Sequence, residues 1–113
     1  MDKNDELKQE AVEQYTASSK EKDIMELRKP ITFEGQEIKE LDLTPLRELR
    51  GADLIQAKRM LDMTGNASVM YERTLEYACY VCAVKLQKPV DLFQNLYASD
   101  AMRLRRAYLD FLY

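Results

Sequence analysis

Apolar and polar residues alternate on both sides of a glycine in the first half of the chain, at Gly35. The alternating apolar positions are Ile31 and Phe33 before the glycine and Leu41 and Leu43 after it. Alternation around a glycine turn is typical of two antiparallel strands, so we predict a short β-hairpin at about residues 31–43. In a regular strand Ile38 would face the opposite side from Leu41 and Leu43, which indicates a bulge or a late start in the second strand.

After the hairpin, apolar residues recur at intervals of three and four, which is the spacing of one helix face. Caps and prolines divide this part of the chain into four to five helices. The predicted helices run from a cap at Thr44 to residue 50, from a cap at Asp53 to about residue 63, over residues 67–88, from a cap at Asp91 to residue 97, and from a cap at Ser99-Asp100 onward. We therefore expect one small, mainly α domain of the α+β class, with a short N-terminal hairpin followed by helices, in a chain of 113 residues.

The first 24 residues differ in composition from the rest of the chain. Residues 1–23 carry seven acidic and four basic side chains and few apolar ones. Such a segment buries too little apolar surface to offset the entropy of ordering, so we expect residues 1–24 to be a disordered charged tail and residues 25–113 to form the domain. Four apolar residues nevertheless share one face at helical spacing, so a helix that forms on a partner is the alternative. These residues are Leu7, Ala11, Val12 and Tyr15.

The third predicted helix contains a stretch that is apolar or aromatic on every side, from Tyr77 to Val84. A helix tolerates this only when it is enclosed all round, so it is either the central helix of the fold or it faces another subunit. The last predicted helix carries a second apolar stripe and the domain is small, so we expect homo-oligomers through these surfaces. The candidate interaction surface comprises Tyr77, Tyr80, Val81, Val84, Leu104, Tyr108, Phe111 and Leu112.

The composition argues against catalysis. The chain has no histidine, which is the commonest general base and metal ligand, and its two cysteines, Cys79 and Cys82, lie inside the apolar stretch. Structural zinc needs four thiolate or imidazole ligands, so packing in the core is the preferred interpretation of these thiols. We therefore expect no catalytic, metal-binding or cofactor-binding residues and no enzyme activity.

Charge and hydropathy narrow the class of partner. A formal net charge of −3 disfavours binding to nucleic acid, because clustered lysines and arginines supply most of that affinity. No apolar run approaches the roughly 20 residues that span a bilayer, and the N-terminus lacks the apolar segment of a signal peptide. We therefore expect a cytoplasmic protein with a protein partner and no contact with nucleic acid or membrane. A small DNA-binding regulator built on a helix-turn-helix is a more distant alternative. It is disfavoured because acidic neighbours offset the basic residues of the helices that would contact DNA.

Several short phrases of the sequence resemble a known family. One phrase, LRKPITFEGQEIKELDL, runs from Leu27 to Leu43 and is followed by LRGADL from Leu49 to Leu54. A later phrase, FQNLYASDAMRL, runs from Phe93 to Leu104. In this order and spacing, the phrases resemble the tail assembly chaperones of long-tailed bacteriophages and prophages. The matched positions that are expected to set the fold are Leu27, Lys29, Pro30, Ile31, Gly35, Leu41, Leu43, Asp53 and Leu54.

The resemblance implies a small, mostly helical protein without catalytic residues. Such a protein binds the long, aggregation-prone tape-measure protein during tail assembly, with the tail-tube protein as a further candidate partner. It acts in the cytoplasm of the bacterial host and is absent from the mature virion. A structural protein of the tail or of the head–tail junction is the alternative function.

Overall fold

A β-hairpin precedes four α-helices in the computed structural model, which describes residues 23–65 and 68–113. The elements are β1 (Ile24–Phe33), β2 (Gln36–Asp42), α1 (Gly51–Asp62), α2 (Leu75–Leu86), α3 (Val90–Gln94) and α4 (Ala98–Leu112), with 3-10 helices at Thr44–Glu48 and Tyr71–Arg73. This order confirms the predicted α+β class with an N-terminal hairpin. The predicted tail over residues 1–24 lies outside the described residues, except for Asp23 and Ile24, and stays a prediction.

The hairpin is longer than predicted, because β1 begins at Ile24 and not at Ile31. The turn agrees with the sequence: Glu34 and Gly35 occupy its two central positions, with φ angles of 51° and 80°. Two positive φ angles in a two-residue loop match the right-handed twist of the strands. The prediction misses the first half of β1 because Pro30 interrupts the strand pattern: proline has no N–H group to donate within a strand ladder.

A large bulge in β1 accommodates Pro30. The register places Glu26 opposite Glu40 and Ile31 opposite Ile38. Four residues of β1 therefore lie opposite one residue of β2, and Pro30 is among the four. Ile38 joins the core face because it pairs with Ile31 beyond the bulge, and paired residues lie on the same face. The irregularity expected from Ile38 is present, although its extra residues lie in β1 and not in the second strand.

Five residues predicted as helix caps lie inside the first turn of their helices instead. These residues are Thr44, Asp53, Asp91, Ser99 and Asp100. A carboxylate in the first turn is stabilised by the free N–H groups and the dipole of the helix end, so caps and first-turn positions share a sequence signal. Asp53 illustrates the consequence. Its Oδ2 accepts the N–H of Arg50 at 2.9 Å and Nζ of Lys85 at 3.1 Å, which connects α1 to α2.

α2 is shorter than the helix predicted over residues 67–88, because Thr74 caps its start. The Thr74 hydroxyl accepts the N–H of Tyr77 at 3.1 Å and donates to the carbonyl oxygen of Tyr71 at 2.7 Å. This cap separates a 3-10 turn from the α-helix that follows. The predicted start is therefore wrong, and residue 67 itself lies outside the described part of the chain.

α2 is the central helix of the fold and contacts α1, α3, α4 and both 3-10 helices. Seven consecutive residues of α2, from Tyr77 to Ala83, are buried. One side of the helix, with Cys79 and Cys82, faces the hairpin and α3, whereas the other side, with Val81, faces α1. The chain itself therefore encloses the apolar stretch, which is one of the two alternatives that the sequence leaves open.

Burial should make both thiols unreactive in the folded chain. It raises the pKa of Cys79 to about 11 and also raises the pKa of Cys82, so both thiols stay protonated at neutral pH. We expect no reaction with a disulfide reagent such as DTNB in native buffer, and reaction of both cysteines once urea unfolds the chain. Complete reaction of the native protein as fast as that of the unfolded chain would contradict the enclosure of α2.

Candidate functional site

A buried carboxylate joins the first turn of α4 to the bulge in β1. Asp100 has no exposed surface, and its two oxygens accept the backbone N–H groups of Arg28 and Lys29, each at 3.0 Å. Arg103, one turn along α4, donates from Nη1 to the same carboxylate at 2.7 Å. The bulge removes the two N–H groups from the strand ladder, so the carboxylate provides the acceptors that β2 does not. We refer to these four residues as the Asp100 cluster.

The Asp100 cluster also satisfies a carbonyl group of β1. Arg103 Nη1 donates a second hydrogen bond to the carbonyl oxygen of Glu26, at 2.9 Å. Burial alone raises the pKa of Asp100, but the two backbone N–H groups and the guanidinium of Arg103 together hold the pKa below the usual range of aspartate. The buried carboxylate is therefore ionised at neutral pH, with a compensating charge and three donors.

The Asp100 cluster brings together the first and the last phrase of the family resemblance. The first phrase contributes two backbone N–H groups, and the last contributes Arg103 and also Asp100, which is 71 and 72 residues away from the two donors in the sequence. Sequence reasoning missed this contact and interpreted Asp100 only as a helix cap. The available signal was the strand interrupted at Pro30, since N–H groups left unpaired there require an acceptor from elsewhere in the chain.

The fold buries most of the predicted interaction surface inside the chain. Five of its eight residues are buried, namely Tyr77, Tyr80, Val81, Leu104 and Tyr108. The other three, which are half-buried, are Val84, Phe111 and Leu112. A side chain covered by its own chain offers little area to a partner, so in this fold only the second group presents appreciable surface. The homo-oligomer stays a prediction.

Two of the buried tyrosines, Tyr77 and Tyr108, donate hydrogen bonds to backbone carbonyl groups. The Tyr77 hydroxyl donates to the carbonyl oxygen of Leu54 at 2.9 Å, and the Tyr108 hydroxyl donates to that of Glu72 at 3.1 Å. Their rings meet edge to face, with centroids 6.1 Å apart. Burial raises the pKa of Tyr77 to about 12 and also raises that of Tyr108, so both hydroxyls stay neutral. The pair therefore links α1, α2 and α4 from within the core.

The surface next to this tyrosine pair forms an open groove between α1 and α4, with a volume of about 390 Å³. We refer to it as the α1–α4 groove. Its lining includes Leu54, Ile55, Arg59, Tyr71, Leu112 and Tyr113. Ile55 is 56% exposed and Tyr113 is 79% exposed, although both are large apolar or aromatic side chains. Exposed apolar side chains beside a concave surface are typical of a site where a protein partner docks.

Cationic side chains border the α1–α4 groove. Lys58 Nζ lies 4.7 Å from the centre of the Tyr71 ring, and the Arg73 guanidinium lies 5.4 Å from the centre of the Tyr113 ring. Arg59 lies in the lining as well, together with one acidic residue, Glu72. The apolar floor and the mainly positive border favour a partner segment in which carboxylates flank apolar residues.

Metal ligands do not converge in the part of the chain that the structure describes: no group of three or more cysteine, aspartate or glutamate side chains is arranged to hold an ion there. Among the same residues, no helix is long and apolar enough to cross a membrane. A comparison with protein families, with curated proteins and with solved structures finds no match to this chain.

Asp100→Asn should destabilise the domain, because an amide cannot accept both N–H groups of the bulge. We expect the free energy of unfolding in urea to fall by about 3 kcal/mol, the scale for an unsatisfied buried group beside an unpaired charge. Asp110→Asn is the matched control, since Asp110 is exposed on the same helix, and it should change stability by less than about 0.5 kcal/mol. Equal effects of the two substitutions would contradict the role of the Asp100 cluster.

The same carboxylate should make stability depend on pH. The pKa of Asp100 is lowered in the folded chain, so its contribution is complete above the unfolded value of about 3.9 and is lost as the pH falls through the folded value. We expect the difference in free energy of unfolding between the wild type and Asp100→Asn to be constant above about pH 5 and to narrow as the pH falls below about 4. The other acidic groups contribute equally to both proteins. A difference that widens on acidification would be incompatible with a lowered pKa.

Proposed function

We propose that this chain is a non-catalytic tail assembly chaperone of a bacteriophage or prophage. It binds the tape-measure protein in the cytoplasm of the bacterial host and keeps it soluble until tail-tube subunits assemble around it. The observation that carries the proposal is the Asp100 cluster, which unites the strand phrase and the helix phrase through which the sequence resembles this family.

The α1–α4 groove is the site that we assign to the client. An amphipathic client helix would place its apolar side chains against Ile55, Leu112 and Tyr113. Arg59 would attract acidic residues that flank this apolar face, whereas Lys58 already pairs with Asp62. Such a contact removes apolar client surface from water, and a chaperone of this kind needs no further chemistry.

Exposed methionines close in sequence to residues of the groove lining support the same assignment. Met63 follows α1 and is 86% exposed, and Met70 precedes the second 3-10 helix and is 57% exposed. Methionine side chains are flexible and polarizable, so they adapt to partner side chains of different shape. A long client with many different helical segments requires this adaptability from one binding surface.

Co-expression with the tape-measure protein of the same phage tests the function and its site together. We expect the tape-measure protein to stay soluble and to co-purify only when the wild-type chain is present. Ile55→Asp places a charge on the floor of the groove and should reduce the co-purified amount about tenfold, which corresponds to about 1.4 kcal/mol. Gln56→Asp, at the next and exposed position of α1, is the control and should leave the amount unchanged.

The outcomes separate the function from its site. Failure of the wild-type chain to keep the tape-measure protein soluble would contradict a chaperone. Full retention by Ile55→Asp would contradict the groove as the binding site while leaving the chaperone function in place. Stoichiometric presence of the chain in purified virions would favour the alternative of a structural tail protein.

A further inference from the structure

A second groove, of about 500 Å³, lies between the start of β1 and the C-terminal half of α4. We refer to it as the β1–α4 groove. Its apolar lining consists of Ile24, Met25, Leu43, Ala107 and Phe111. Ile24 is 39% exposed there. The groove has room for several side chains of a docked segment, and burying apolar side chains against this lining would stabilise such a contact.

Two charged side chains of the β1–α4 groove, Arg106 and Asp110, are available to an occupant. The charged lining residues are Asp23, Arg103, Arg106 and Asp110. Arg103 is engaged in the Asp100 cluster, and Asp23 pairs with Arg47 at 2.5 Å. Arg106 and Asp110 are exposed, and within residues 23–65 and 68–113 no ion pair involves either of them. The groove therefore offers one cation, Arg106, that an acidic side chain of an occupant can pair with beside the apolar lining.

Three contacts hold Asp23 at the edge of this groove. Its N–H donates to Thr44 Oγ1 at 2.8 Å, and its carbonyl oxygen accepts the N–H of Leu43 at 2.7 Å. Its carboxylate pairs with Arg47. The Thr44 hydroxyl, predicted as a helix cap, therefore fixes this end of β1 instead. The chain that precedes Asp23 consequently starts beside the β1–α4 groove.

The sequence of that preceding chain, which lies outside the described residues, is complementary to the groove. Its helically spaced apolar residues are Leu7, Ala11, Val12 and Tyr15, and its neighbouring acids are Glu6, Glu10 and Glu13. Seven residues, 16–22, connect Tyr15 to Asp23, and an extended chain of that length reaches about 25 Å. This reach is similar to the length of α4, about 22 Å for its 15 residues. Residues 7–15 are thus able to reach the whole groove.

We propose that residues 7–15 bind in the β1–α4 groove of their own chain. Their apolar face contacts Ile24 and Phe111, and an acidic side chain pairs with Arg106. The covalent connection keeps the segment at an effective concentration on the order of millimolar, so a weak contact is sufficient. This intramolecular contact is independent of the proposed function, because it involves a different groove and no client.

Paramagnetic relaxation in the full-length chain tests the contact. Gln9→Cys, opposite the apolar face of the segment, carries a nitroxide label, and the buried Cys79 and Cys82 stay unlabelled. We expect the amide signals of Ala107 and Phe111 to be lost, because a docked label lies close to α4. Uniform weak broadening over the whole surface of the domain would overturn the proposal.

Substitutions in the labelled chain distinguish docking from chance proximity. Leu7→Ser combined with Tyr15→Ser removes the apolar contacts and should restore both lost signals. Thr16→Ala, on the polar side of the same segment, is the control and should not restore them. Arg106→Gln removes the cationic contact and should restore the signals in part.

Two results would overturn the proposal directly. Signals that remain lost when Leu7 and Tyr15 are both serine would mean that the apolar face does not make the contact. The second test mixes a spin-labelled chain with a separate isotope-labelled chain that carries no label. Equal signal loss in this mixture would place the segment on another copy of the chain and not on its own.

Discussion

The buried carboxylate of Asp100 is the interaction on which the arrangement of the hairpin and the last helix depends. A charge without solvent contact is costly unless it is paired and hydrogen bonded, and this carboxylate has three N–H donors. In return, it accepts the N–H groups of Arg28 and Lys29, which the bulge in β1 separates from their strand partners. Each side of the contact would be unfavourable without the other. The contact therefore fixes the start of α4 against β1, 72 residues earlier in the chain.

The position of α4 in turn determines both grooves. One edge of the helix contributes Tyr108 and Leu112 to the α1–α4 groove, and another edge contributes Ala107 and Phe111 to the β1–α4 groove. The core between the grooves is formed by the chain itself, because residues 77–83 of α2 are buried and the hydroxyls of Tyr77 and Tyr108 have backbone acceptors. Three exposed large apolar side chains, Ile24, Ile55 and Tyr113, line the grooves, and none of those that the described residues expose lies on the central helix.

Sequence patterns predict the parts of this fold that local rules govern. The turn at Gly35 and the stripe of α4 are confirmed, since two central turn residues have positive φ angles and Leu104 is buried. Periodicity shows that a face is apolar but does not show what covers it, so the stretch around Val81 predicts a core helix and a subunit interface equally well. The contact that Asp100 makes with β1 is not predictable from the sequence pattern. A carboxylate in a first turn has the same local signal whether it caps its own helix or accepts N–H groups of a distant strand.

The most direct test of the Asp100 contact is the hydrogen exchange of the Arg28 and Lys29 amides, measured residue by residue by NMR. Neither residue has a paired partner in β2, so slow exchange of these amides requires another acceptor. We predict that both amides exchange as slowly as the paired amides of β1 in the wild type and become fast in Asp100→Asn. Fast exchange of both amides in the wild type, while the paired amides of β1 stay protected, would contradict the contact on which the fold is argued to depend.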